Sequence, residues 1–222
     1  MPMVSTAHNG NIARAAGVVN WKVGVVKNEN EIRFEVKFVP AGTGSAVWDD
    51  PDAGRLIRRF LEPDRRHGPM VGIVHLGAVR PTPHVLRNVV LTVGEDVKAG
   101  RYGQFALIIS SSDDATRSVI RDMAAAQDVA MFVSESPYSL DRAEPVGTLT
   151  MKDRDTMALV LQAGGTVTAT QLSSQLRIEP TTAGNRLVSL HRKGYLQRVE
   201  RPHPVGDLFI DPRSMRLEGD SR

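Results

Sequence analysis

Residues able to support catalysis or bind metals are few in this chain and are poorly clustered. The sequence contains no cysteine, which excludes disulfides, thiolate zinc sites and cysteine nucleophiles. His75 and His84 have no third ligand nearby in the sequence, as a zinc site would require. Gly42 and Gly44 lie in a segment without the Lys-Ser or Lys-Thr pair of a phosphate-binding P-loop. We therefore expect no enzyme activity, no metal and no cofactor.

A different chemistry is indicated by the basic residues near the C-terminus. Residues 177–201 contain six arginines and lysines against two glutamates. Residues 1–150 are balanced, with 17 basic and 17 acidic side chains, so the net charge of +3 comes from residues 151–222. A local concentration of positive charge is typical of surfaces that bind nucleic acid.

A helix predicted over residues 180–193 would position part of this charge. Pro180 suits its first turn, and Ala183, Leu187 and Leu190 recur at the spacing of a buried stripe. The opposite face is polar and has no acidic residue, so it is suited to contact phosphates and base edges. The candidate DNA contacts on this helix and the following hairpin are Thr181, Thr182, Asn185, Arg186, Ser189, Arg192, Lys193, Arg198, Arg201 and His203.

The elements around this helix are also predicted by local signals. A helix over residues 153–162 has Met157, Val160 and Leu161 as its inner stripe and ends at a Gly-Gly pair. Thr168 and Gln171 form a predicted capping box for a second helix, with Val167 and Leu172 at the positions of a hydrophobic staple. Gly194 ends the helix over 180–193, and two short strands follow, joined by the loop RPHPVGD.

Together, residues 166–212 resemble the winged helix-turn-helix domains of MarR-like and related bacterial regulators. The segment TVTATQLSSQLRIEPTTAGNRLVSLHRKGYLQRV stands where that superfamily has its helix pair and first wing strand. The resemblance implies a transcription regulator whose helix 180–193 enters the major groove of double-stranded DNA. The wing, residues 198–208, would contact the backbone or the minor groove, and a homodimer is the expected working form. The alternative is an adaptor of the anti-sigma-antagonist type, whose winged helix docks onto protein.

The first two thirds of the chain predicts a sheet covered by helices. Residues 31–39 alternate apolar and polar side chains as a half-buried strand does, and Val19, Trp21 and Val23 suggest a further strand before it. A helix is predicted over 52–61. Strands and helices then alternate over 71–76, 83–99, 105–110, 113–126 and 129–133.

This alternation resembles that of STAS-like domains. The segments that carry the resemblance are VGIVHL, HVLRNVVLTV, FALIIS, SDDATRSVIRDM and VAMFV. In that family a Ser or Thr opening the first of these helices can be phosphorylated, and the equivalent position here is Thr82. The alternative is that Thr82 is an N-cap before a helix-opening proline. A regulatory protein or a small-molecule effector is the expected partner of this domain.

The predicted fold class is therefore an α/β (α+β) N-terminal domain with STAS-like alternation, followed by a winged helix-turn-helix domain. The expected divisions are an N-terminal segment 1–30, the α/β domain 31–136, a linker 137–150, the winged helix 151–212 and a polar tail 213–222. The N-terminus lacks the apolar core of a signal peptide, and no apolar run approaches the length of a membrane span. A cytoplasmic protein without membrane contact is expected.

Overall fold

The structure is a computed structural model that describes residues 19–27, 30–40, 47–48, 53–61, 70–202 and 206–214. For the first three strands it describes the backbone and strand pairing alone. The fold is mixed α/β. No helix in these ranges is both long and apolar enough to cross a bilayer.

Strands and helices alternate through the first two thirds of the chain. Their order is β1 (Val19–Lys27), β2 (Asn30–Pro40), β3 (Val47–Trp48), α1 (Ala53–Leu61), β4 (Met70–Gly77), β5 (Arg80–Pro81), α2 (Pro83–Lys98), β6 (Phe105–Ser111), α3 (Asp114–Ala126), β7 (Met131–Ser134) and β8 (Glu144–Val146). These bounds confirm the predicted elements, although β7 begins two residues later than expected. The strand suggested near Val19 is β1. The predicted half-buried face of residues 31–39 concerns side chains, and for β1 and β2 only the backbone is described.

One sheet contains six of these strands in the order β1-β2-β4-β6-β7-β8. β1 and β2 form an antiparallel hairpin, in which Trp21 pairs with Val36. β2, β4, β6 and β7 run parallel, and β8 is an antiparallel edge strand. A separate two-stranded sheet joins β3 and β5. The four parallel strands therefore follow one another across the sheet in the same order as in the sequence.

Helices α1, α2 and α3 connect these successive parallel strands and cover one face of the sheet. Such crossovers are right-handed, so strands that are added in a single direction place all their helices on the same side. The core on this side takes alternate residues of the strands, such as Val74, Leu107 and Met131. Val90 of α2 and Ile120 of α3 are fully buried against them.

The opposite face of the same strands is also apolar. Val71, Ile73, Ala106, Ile108 and Phe132 point to this side and are fully buried. A sheet with two apolar faces needs a cover on both, because exposing one would leave a large apolar patch in water. Here the second cover comes from the C-terminal third of the chain.

This C-terminal third, residues 151–214, is called the C-terminal module below. Its elements are α4 (Met151–Gln162), β9 (Thr166–Thr168), α5 (Ala169–Leu176), α6 (Pro180–Arg192), β10 (Gln197–Val199) and β11 (Leu208–Ile210). The three strands form an antiparallel sheet in the order β10-β11-β9. Element types and order match the prediction from sequence.

Local capping explains where the helices of the module begin. Thr168 Oγ1 accepts a hydrogen bond from the Gln171 backbone N–H at 3.3 Å, and Gln171 Oε1 accepts one from the Thr168 backbone at 2.8 Å. This confirms the predicted capping box. A second box between Thr150 and Asp153 starts α4 at Met151, two residues before the predicted start.

The segment 137–150, expected to be a linker, also takes part in the sheet. It forms the 3₁₀ helix Leu140–Arg142 and the strand β8, and it buries Leu140 and Ala143. At Gly147 the backbone has a φ of +109°, and an added Cβ would lie 2.5 Å from the Val129 carbonyl oxygen. The chain therefore turns tightly from the sheet into α4 at a position that requires glycine.

Direct contacts join the module to the sheet. The Tyr195 hydroxyl donates to the Val146 carbonyl at 2.8 Å, and its ring meets the Phe132 ring edge-on, with centroids 6.1 Å apart. The Arg198 backbone N–H donates to Gln104 Oε1 at 3.1 Å. The module and the sheet thus share one core.

The start of the expected polar tail is also part of this core. Arg213, in the 3₁₀ helix Pro212–Ser214, is 8% exposed and binds Asp211, with 2.6 Å between Nη2 and Oδ2. Its guanidinium lies 5.7 Å from the centre of the Phe132 ring, a cation–π distance. Residues 215–222 lie outside the described ranges.

Candidate nucleic-acid interface

A tight turn sets the direction of α6 relative to α5. Arg177 adopts a left-handed conformation with φ 53° and ψ 47° and ends α5. The Ile178 backbone N–H then donates to the Ser173 carbonyl, and the Ser173 hydroxyl donates to the Ile178 carbonyl at 2.6 Å. Pro180 begins α6, where its missing N–H costs no hydrogen bond. Arg177 was not predicted here because left-handed positions usually carry Gly or Asn.

α6 buries the predicted apolar stripe. Ala183, Leu187 and Leu190 are each 0% exposed and pack in the core shared with the sheet. The opposite face is open to solvent. Its exposed side chains are Thr181, Thr182, Asn185, Ser189, Arg192 and Lys193. The helix itself has no acidic residue, and its last turn contains His191 and Arg192.

One residue of the predicted set, Arg186, and the neighbouring Val188 are less accessible than the other residues of this face. Arg186 is half-buried, and its Nε atom is buried without a hydrogen-bond partner in the described part of the chain. Val188 is half-buried and packs against the shared core. Arg186 therefore lies at the margin of the exposed face of α6.

Two other predicted cations are compensated by acids. Lys193 Nζ lies 2.7 Å from Asp153 Oδ2 in α4, and Arg198 Nε lies 2.8 Å from Asp207 Oδ2 across the hairpin. Burial acts to raise the pKa of Asp153, but the hydrogen bonds from Lys193 and Thr150 outweigh it, so the pKa is lowered. Asp153 is therefore charged at neutral pH, and both ion pairs reduce the positive charge available to a phosphate.

Arg192 contrasts with these paired cations. It is exposed and forms no ion pair with any residue that the structure describes. Arg177 is likewise exposed at the turn before α6, whereas Arg201 is half-buried after β10. His203 lies outside the described residues. The exposed polar set and Arg192 thus share one helix face, with Arg198 and Arg201 on the adjacent hairpin.

The other candidate sites have ordinary structural partners. His75 Nδ1 is 2.9 Å from Ser110 Oγ, and Ser110 is 0% exposed, so His75 has a buried hydrogen-bond partner. His84 Nε2 lies 3.1 Å from the Asn88 side-chain amide. Within the described ranges, no group of three or more His, Asp or Glu side chains is arranged to hold a metal.

The cap interpretation of Thr82 is confirmed. Its hydroxyl accepts a hydrogen bond from the Val85 backbone N–H at 3.4 Å, at the start of α2. Whether Thr82 is also phosphorylated stays a prediction.

Comparison of the chain with protein-family models, with curated proteins and with solved structures found no match. The proposed function therefore rests on the geometry of the site.

Proposed function

We propose that the protein is a DNA-binding transcription regulator whose C-terminal module is a winged helix-turn-helix. The observation that carries this proposal is the division of α6 into a fully buried aliphatic stripe and a solvent-exposed face of polar and cationic side chains. The element order α4-β9-α5-α6-β10-β11, with three antiparallel strands, supports it. Acidic side chains on this face of α6, or packing of this face against the sheet, would contradict the proposal.

In this proposal α6 lies in the major groove. Thr181, Thr182 and Asn185, near its N-terminus, supply hydrogen bonds to base edges, where amide and hydroxyl groups read sequence. Arg192 contacts a phosphate and adds affinity without sequence preference. Because Lys193 and Arg198 are paired with acids, each contributes less than Arg192.

The hairpin β10–β11 serves as the wing on the backbone or minor groove. A single recognition helix gives limited specificity, so the working form is a homodimer on two half-sites about 34–36 Å apart. The α/β part of the chain then serves for dimerisation, for sensing or for partner binding. The STAS-like assignment of this part remains a proposal of the same kind.

Gel retardation of mixed genomic duplex fragments, at low and at moderate salt, tests the proposal. A DNA-binding protein retards fragments strongly at low salt and progressively less as salt rises, because bound phosphates release counterions. The absence of retardation at both salt concentrations would contradict the proposal and favour the adaptor alternative.

Two substitutions then test the assigned roles on a selected site. Arg192→Gln should weaken binding to all sequences alike and reduce the salt slope by about one unit. Asn185→Ala should reduce the difference between good and poor sites. Arg87→Gln is the matched control, because Arg87 is an exposed cation on α2, the helix that covers the other face of the sheet. If Arg87→Gln and Arg192→Gln had the same effect, the assigned surface would be wrong.

A further inference from the structure

A cleft of about 750 Å³ opens at the carboxyl-terminal edge of the parallel strands. Its floor includes His75 at the end of β4 and Ser134 at the end of β7, and its walls come from α3 and from residues 135–144. This volume lies within the range of small-molecule sites. Ligands of open α/β sheets bind outside the carboxyl ends of the strands, because loops and helix starts converge there.

Three arginines line this cleft. Arg117 is 14% exposed and rigidly held, since its Nη1 donates to the Ser111 carbonyl at 2.6 Å and its Nη2 to Asp114 at 3.0 Å. Arg142, on the 3₁₀ helix, is exposed and forms no ion pair within the described ranges. Arg121 is 35% exposed and completes the set from α3. Guanidinium groups from two separate elements therefore converge on one recess.

An internal carboxylate already occupies part of this cationic surface. Glu144 of β8 accepts a hydrogen bond from Arg121 Nε at 2.7 Å and lines the cleft itself. Glu144 is 48% exposed, so solvent reaches the pair and its net contribution to folding is small. A ligand anion can take its place on Arg121 without leaving a buried charge unpaired.

We propose that this cleft binds a small molecule bearing a carboxylate or a phosphate group, held by Arg121 and Arg142 in competition with Glu144. Ser112, Ser136 and Ser139 line the same recess, and the exposed Tyr138 adds an aromatic side chain to it. The cleft shares no residue with the exposed face of α6. The proposed ligand site is therefore independent of the proposed DNA-binding function.

Titration of the full-length protein, followed by amide resonances in NMR at constant ionic strength, tests the site. Inorganic phosphate and citrate are the two probes and distinguish phosphate from carboxylate selectivity, while potassium chloride controls for ionic effects. We expect saturable shifts centred on Ser112, Ser136 and Ser139 with at least one probe.

Three variants distinguish a specific site from general anion attraction. Arg142→Gln should weaken binding about tenfold, the usual effect of losing one charge-assisted hydrogen bond. Glu144→Gln should tighten it severalfold by removing the competing carboxylate. Arg87→Gln, an exposed arginine outside the cleft, should leave it unchanged.

The proposal is overturned if neither probe gives saturable shifts at these serines. It is also overturned if Arg142→Gln and Arg87→Gln weaken binding equally, or if Glu144→Gln weakens it, because the internal carboxylate would then not be a competitor. Retained chemical shifts elsewhere in each variant establish that the fold is intact.

Discussion

The two faces of the six-stranded sheet are covered in different ways. On one face, α1, α2 and α3 are the connections between the strands they cover, so chain connectivity places them there. On the other face, the cover is the C-terminal module, which follows the sheet in sequence and docks onto it. The comparison teaches that a segment with the sequence signals of a separate domain can still share a core with its neighbour.

The polar groups on the two sides differ as well. The helix side holds Asp96, which is bound by Arg58 of α1 and by the Tyr102 hydroxyl. The module side is joined by the Tyr195 hydrogen bond to Val146 and by the Arg213–Asp211 pair near Phe132. If the module and the sheet share one core, substitutions on either face of the sheet should destabilise the same cooperative unit.

The largest effect is expected from truncating neighbouring core residues on opposite faces of β6. Leu107 points to the helices and Ile108 to the module, and they are 1% and 0% exposed. Leu107→Ala and Ile108→Ala should each lower the free energy of unfolding by about 2–5 kcal/mol. Urea unfolding, followed by circular dichroism and by hydrogen exchange, should show one transition in both variants. Two transitions in Ile108→Ala would show that the module folds separately.

A smaller effect with a defined pH dependence is expected at Asp96 on the helix side. Its hydrogen bond from Arg58 lowers the pKa of this carboxyl, against the opposing effect of burial, with help from Tyr102 and Arg101. Asp96→Asn should cost about 1–3 kcal/mol at neutral pH, since it removes charge-assisted hydrogen bonds.

The sign of the Asp96 effect follows from linkage. A depressed folded-state pKa stabilises the protein fully above the unfolded value of about 3.9, and this contribution is lost as pH falls through the folded pKa. Unfolding measured from pH 7 to pH 2 should therefore show the difference between wild type and Asp96→Asn shrinking below about pH 4. A difference that stays constant over this range would contradict the assignment.

The corresponding polar contact on the module side is weaker. Tyr195→Phe removes the hydroxyl that donates to the Val146 carbonyl and should cost about 0.5–1.5 kcal/mol. Tyr138→Phe is the matched control, because Tyr138 is 57% exposed and should change stability little. Equal effects of the two substitutions in urea unfolding would mean that this contact does not tie the module to the sheet.

The smallest effect is expected from Thr82→Asp, at the cap of α2. Asp caps helices as well as Thr does, so Thr82→Asp should keep the free energy of unfolding within about 0.5 kcal/mol of wild type. Thr82→Ala should lose about 1 kcal/mol, since it removes the hydrogen bond to the Val85 N–H. If Thr82→Asp altered DNA affinity or oligomeric state while Thr82→Ala did not, Thr82 would have the regulatory role that the STAS-like resemblance implies.

Local signals predicted most of the elements and the exposed face of α6. Thr168 with Gln171 marked the start of α5, and the spacing of Ala183, Leu187 and Leu190 identified the buried side of α6. These signals act within one or two helical turns, so they are visible in the sequence. The pairing of Lys193 with Asp153 was not visible, because it joins side chains 40 residues apart.

The cleft was missed for the same reason, although a weak signal existed. Two polar segments, SDDATR and ESPYSLDR, each directly follow a buried strand and end in an arginine of the cleft. Parallel strands bring such segments to one edge of the sheet. That Glu144 would meet Arg121 depended on β8 returning antiparallel to β7, in a stretch whose polar composition indicated a linker.

The sequence by itself determined the alternation of strands and helices, the caps, and the division of α6 into a buried and an exposed side. These follow from periodicity and from hydrogen bonds between residues a few positions apart. Only the tertiary structure decided that the module covers the second face of the sheet and that Arg192 stays unpaired among the described residues while Lys193 and Arg198 do not. Those outcomes depend on which distant surfaces meet. The hydrophobic effect is non-directional, so it favours burial of the apolar sheet face without specifying which segment of the chain covers it.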